Sequence, residues 1–131
     1  MTPRAAVVLR TAGTLVMLFF AWSGLVGGVQ QIPQSTTAGQ QVQSVFQLAF
    51  GASALACVIV AWRPHRLARA FERAWCISCA LAAGFATVVW GGQSPLTGVL
   101  TAAVSLLVAW LLVWPLRRWG AGQGAFDGRR G

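Results

Sequence analysis

Four long apolar runs joined by short links constrain this chain more than any other feature. They cover Thr11–Val29, Val42–Trp62, Ala74–Trp90 and Leu96–Leu116. At 1.5 Å rise per residue, each spans on the order of 25–32 Å, which matches a hydrocarbon core of about 30 Å. None holds an ionisable side chain other than cysteine. A helix satisfies every backbone hydrogen bond within its own segment, and these runs are too long for barrel strands, so four membrane-spanning helices are expected. Composition agrees. The chain is 56% hydrophobic and only 9% charged, whereas soluble domains are about a quarter charged and a fold this small leaves much of its surface exposed.

The expected fold is therefore all-α, an integral membrane up-down-up-down four-helix bundle. Helices at about 7–29, 42–62, 66–90 and 96–116 make one domain over residues 1–119, and 120–131 form a flexible, glycine-rich cytoplasmic tail. The first run ends in Gly27-Gly28-Val29-Gln30-Gln31 with no small-x-small cleavage pattern, so it reads as an uncleaved span and not as a signal peptide.

Charge sets the orientation. All ten basic residues are arginines, and the net charge is +8. Arg4 and Arg10 precede the first run; Arg63, Arg66, Arg69 and Arg73 fill the middle link against a lone Glu72; Arg117, Arg118, Arg129 and Arg130 follow the fourth run against Asp127. The links Gln30–Gln41 and Gly91–Pro95 carry no charge. This alternation places both termini on the cytoplasmic side by the positive-inside bias. The absence of lysine fits a GC-rich bacterial coding sequence, hence a multi-pass protein of a bacterial inner membrane. Arginines gathered at the ends of apolar runs do not form the clustered footprint of a nucleic-acid binder.

The same arginines suit anchoring. Pro64 fits a first helical turn. Arg66, Arg69 and Arg73 share one helical face while Leu67 and Phe71 share another. Arg63, Arg66, Arg69, Arg73, Arg117 and Arg118 are read as anchors to anionic lipid headgroups, with docking of an acidic partner as the alternative. Trp62, Trp75, Trp90, Trp114 and Trp119 stand near run ends, where interfacial belts form.

Small residues mark helix contacts. Gly24 and Gly28 form a GxxxG, Ala80 pairs with Gly84 and Gly98 with Ala102, while the second run offers Gly51 to Ala54. These patterns leave open whether the partner helix lies in this chain or another. A tryptophan, a Gly-Gly pair, glutamine and proline recur between Trp22 and Gln34 and between Trp90 and Pro95. That echo is either a duplication of helix pairs or the ordinary composition of a membrane boundary.

Two groups of residues could carry chemistry. Cys76 and Cys79 form a CxxC at the start of the third span, with Cys57 near the end of the second. Such a pair serves thiol redox chemistry, but here it faces the reducing side without a second, shuttle pair, and cysteine is also a common buried apolar residue. No metal site or cofactor is expected, since His65 is the only histidine. Glutamines are more informative. Gln40, Gln43 or Ser44, and Gln47 share a helical face that must point at protein or a wet cleft. With Trp22, Trp90, Gln93 and Ser94 that face either lines a small polar pocket for a neutral ligand, makes interhelical hydrogen bonds, or meets another subunit. No carboxylate lies within the spans, which counts against proton-coupled export of the small multidrug type.

The stretch Leu9-Arg10 through Met17-Leu18-Phe19-Phe20-Ala21-Trp22-Ser23-Gly24-Leu25 resembles the opening of DoxX-like membrane proteins. The resemblance covers about one helix and the overall topology. It implies a four-helix bacterial membrane protein, a family associated with oxidoreductase or accessory-subunit roles. The lysine usual after that glycine and the acidic residue opening the second helix are replaced by Val26 to Gln31 and by glutamines, so no functional residue carries over. The leading expectation is a non-catalytic accessory or structural subunit of a membrane assembly, or a homo-oligomer. The alternatives are a carrier for a neutral lipid-like molecule or quinone at the outer face, and a thiol redox protein using Cys76 and Cys79.

Overall fold

The computed structural model describes residues 2–63 and 66–130, with side chains described as far as Trp114. Pro64, His65, and the side chains of Arg117, Arg118, Trp119 and the segment 120–131 lie outside that description, as do the expectations that fall on them. The chain is all-helical: α1 (Pro3–Gln31), α2 (Ala38–Trp62), α3 (Ala68–Val89) and α4 (Pro95–Arg130). All four are long and apolar enough to cross a membrane, α4 by its part Pro95–Trp114. The protein is a multi-pass membrane protein.

Three of the four helix starts follow hydroxyl caps that hydropathy alone does not reveal; α3 begins after Leu67 with no side-chain cap. Thr2 caps α1 by accepting from Ala5 N at 3.2 Å, with Pro3 at the first helical position, so α1 begins ahead of the expected residue 7. Thr37 caps α2 by accepting from Gln40 N at 3.2 Å, which draws Ala38–Gln41 into the helix. Ser94 accepts from Thr97 N at 3.3 Å ahead of Pro95 and starts α4. Between α3 and α4 the chain turns through Gly92 at φ +65°, where a side chain would be strained.

Each helix packs mainly on its neighbour in sequence: α1 on α2, α2 on α3, and α3 on α4. Contacts run in opposite order along paired helices. Arg10 meets Ala61 and Gly24 meets Gly51, while Gln40 meets Val89 and Phe50 meets Trp75. The start of α2 thus lies by the end of α3, and the start of α1 by the end of α2.

The small-residue motifs are used within the chain. A Cβ on Gly24 would stand 2.6 Å from the Gly51 backbone, and one on Gly84 2.9 Å from Gly98 O. Backbones approach this closely only because side chains are missing, and in lipid that approach supplies the packing that holds helices together. Phe20, Phe50 and Trp75 form the centre of the core, with ring centroids 5.7–6.0 Å apart. Met17, Ala21, Ala54, Cys57, Cys76, Ala109 and Val113 pack with them. Trp75 therefore departs from the expected interfacial belt, being 1% exposed. It stands two turns inside α3 on the face towards α2, where ring stacking with Phe50 outweighs access to the interface. Trp62, Trp90, Trp110 and Trp114 keep exposed rings. The outer sides of α1 and α4 are Leu, Val, Phe and Trp, the surface that acyl chains solvate.

Candidate functional site

The cap of α2 starts a ladder of polar side chains. Gln40, next to Thr37 in the first turn, accepts from Thr36 N at 2.8 Å and from Thr36 Oγ1 at 3.1 Å. Its Nε2 donates to Val89 O at 3.4 Å, tying the first turn of α2 to the last turn of α3. One turn on, Gln43 is fully buried, with 0% exposure. Its Nε2 donates to Ala82 O at 3.3 Å, and its Oε1 accepts from Trp90 Nε1 at 3.1 Å. A single neutral carboxamide thus grips α3 at two points. On the neighbouring position Ser44 donates to Gln40 O at 3.0 Å, and its Oγ lies 3.3 Å from that of Ser35, which donates to Gln31 O at 2.7 Å. The α1–α2 link is thereby drawn onto the same ladder.

This geometry divides the six residues expected to share a pocket. Gln40, Gln43 and Trp90 come together, joined to each other and to α3. Gln43 keeps no surface for a ligand, and its two bonds are interhelical. Gln47 follows one turn later on the same face, half-buried beside Gly27. Trp22 stands apart on the outward side of α1, with 70% of its surface exposed, because Ala21 and Gly24 occupy the inward side. Gln93 is exposed in the α3–α4 link and contributes its backbone N–H to Thr87 O at 3.1 Å. Ser94 beside it serves as the α4 cap.

The opposite end holds a second polar assembly that charge counting does not reveal. The Arg10 guanidinium lies 4.1 Å over the Trp62 ring and donates to Ala61 O. Trp62 Nε1 donates to Thr14 Oγ1 at 2.9 Å, and Thr14 donates to Arg10 O at 2.8 Å. A cation on the last carbonyls of α2 also meets the negative end of that helix dipole. Arg10 therefore clamps α1 to the end of α2. The only signal in the sequence was an arginine and a tryptophan at the matching ends of adjacent runs. Arg63, Arg66, Arg69 and Arg73 are exposed.

The cysteines are divided by burial. Cys57 and Cys76 lie in the core, Cys79 is half-buried, and none is in a disulfide. Among the described residues, no three His, Cys, Asp or Glu side chains cluster as a metal site requires. On the far flank of α3 a groove of about 340 Å³ runs along α4, walled by Leu81, Phe85, Val88, Val99 and Ala102 and reaching Pro95. Compared with models of protein families, with curated proteins and with solved structures, the chain matches none.

Proposed function

We propose that this chain crosses a bacterial inner membrane four times, up-down-up-down with both termini cytoplasmic, and serves as a non-catalytic structural or accessory subunit. The observation that carries this reading is the fate of the buried polar groups. Gln43, the polar side chain buried most completely, is taken up by bonds that join α2 to the end of α3, and Ser44 by a bond to Gln40 O within α2 and a contact with Ser35 of the α1–α2 link. What the bundle offers outward is helix surface. α1 packs chiefly on α2, and α4 chiefly on α3, which leaves their flanks open to lipid, a second copy or another subunit. The opposite running order of the helix contacts supports the up-down arrangement, and the exposed arginines of the middle link support the cytoplasmic assignment through anionic headgroups. The DoxX-like resemblance of the first helix belongs to the same reading.

Gentle extraction into lipid nanodiscs followed by native mass measurement tests it. A species heavier than the 13.9 kDa chain, either a homo-oligomer or a complex, is the expected result. A strictly monomeric protein overturns the subunit reading.

One observation favours a second reading, a carrier for a neutral lipid-like molecule. The α3–α4 groove is lined by carbon and reaches the uncharged α3–α4 link. It takes the place of the glutamine face as the candidate site for such a ligand. An apolar adduct on the monomer, lost when Val99→Trp fills the groove, is the outcome this second reading requires.

A further inference from the structure

The first turns of α3 divide sharply between a packed side and an open one. Phe71 packs against the core, and Trp75 and Cys76 lie within it. Arg69, Ala70, Arg73, Ala74 and Ile77 are exposed. Residues four apart share a helix face, so the open side reads Arg69, Arg73, Ile77 from the helix start towards the span. Ile77 is 55% exposed. Two alanines flank the arginines and leave their guanidinium groups unobstructed. Between residues 63 and 73 four arginines stand against one carboxylate, Glu72, which is half-buried.

The spacing of the two helical arginines selects what they hold. Arg69 and Arg73 are one turn apart, about 6 Å along the axis at 1.5 Å per residue. A guanidinium is a planar fork that takes two oxygens of one phosphate at once. Two forks in this arrangement are matched by two phosphates, one for each. When both phosphates belong to one headgroup, a single molecule is held in place instead of two, and the ordering cost falls accordingly.

Ile77 decides the source of the phosphates. It lies one turn deeper than Arg73 on the same side, as acyl chains lie beneath a lipid phosphate. A free diphosphate gains nothing from Ile77, and an acidic peptide covers it only by entering the bilayer. A lipid meets the arginines with its headgroup and the isoleucine with a chain.

We propose that the Arg69–Arg73–Ile77 side of α3 binds a lipid whose headgroup carries two phosphates, one at each arginine, with an acyl chain along Ile77. This surface rests on the membrane reading of the chain but holds for a monomer as well as for a subunit, so its failure leaves the subunit reading standing.

The test places the full chain in phosphatidylcholine nanodiscs that contain diphosphatidylglycerol and phosphatidylglycerol at equal phosphate content. Lipid carried with the chain is then counted by native mass measurement. Diphosphatidylglycerol should be retained over phosphatidylglycerol by about fivefold, the factor that one further arginine contributes at an anionic surface. Arg69→Gln combined with Arg73→Gln should bring the ratio close to one. Arg4→Gln, which removes an exposed charge at the start of α1, should leave it unchanged, and so should added pyrophosphate. Circular dichroism confirms that the variants are helical. Equal retention of the two lipids by the wild type overturns the proposal. So does a ratio that survives the double substitution, one that Arg4→Gln lowers as much, or displacement of the lipid by pyrophosphate.

Discussion

Replacing Gln43 by leucine separates hydrogen bonding from packing at the most buried polar side chain. Leucine fills a similar volume, so the change chiefly removes the bonds to Ala82 O and from Trp90 Nε1. Interhelical hydrogen bonds in membrane proteins average about 0.6 kcal/mol each and reach about 1.7, which gives a loss of roughly 1–3 kcal/mol for two. The lower half of that range is favoured by the geometry. Trp90 is 38% exposed and its N–H is free to turn towards the interface, while Ala82 O lies within α3, where the helix supplies a donor. About 1–2 kcal/mol is a five- to thirtyfold change in the folding equilibrium. Reversible unfolding in mixed micelles by added ionic detergent, followed by circular dichroism, reads it. A double-mutant cycle with Trp90→Phe should return a coupling of several tenths of a kcal/mol or more. Trp22→Phe, on the outward side of α1, should add to Gln43→Leu within about 0.3–0.5 kcal/mol. A Gln43→Leu protein as stable as the wild type, with no coupling to Trp90, would refute the assignment of this amide as the clamp between α2 and α3.

Three further outcomes follow from the same geometry. Gly51→Ala places a methyl 2.6 Å from Leu25 N and 2.9 Å from Gly24 C, backbone atoms that cannot yield without separating α1 from α2; a loss of about 1–3 kcal/mol is expected in the same unfolding assay. Arg10→Ala removes the stack on Trp62 and the bond to Ala61 O, and should cost about 0.5–2 kcal/mol, with Arg10→Lys recovering part of it. A membrane-permeant maleimide should label Cys79 ahead of Cys57 and Cys76, whose side chains are in the core; rapid labelling of Cys76 in the folded protein would contradict that burial.

Much of the fold was legible in the linear chain because lipid imposes a simple rule. Apolar length decides what spans, and it is a local property of sequence. The small-residue pairs were also visible, but Gly24 gave no sign that its partner was Gly51 of the same chain. That pairing depends on register between two helices, which no local pattern encodes. Thr2, Thr37 and Ser94 were readable as caps in principle. Hydropathy passed over them because a helix start is set by a hydrogen bond, not by apolarity.

The candidate site divides along the same line. The shared face of Gln40, Gln43 and Gln47 follows from helical periodicity, so the sequence already placed these amides towards the inside of the fold. It did not distinguish their roles. Only tertiary contact supplies Ala82 O and Trp90 Nε1 to Gln43 while leaving Gln47 beside a bare glycine. Trp22 and Gln93 joined the expected pocket through composition at the same boundary, and the rotation of α1 turned Trp22 outward. The spans and the alternation of arginine-rich and uncharged links belong to the sequence, since burial of apolar length in lipid requires no partner. Which polar groups are satisfied depends on how the helices are rotated and registered against one another; only the tertiary structure decides that.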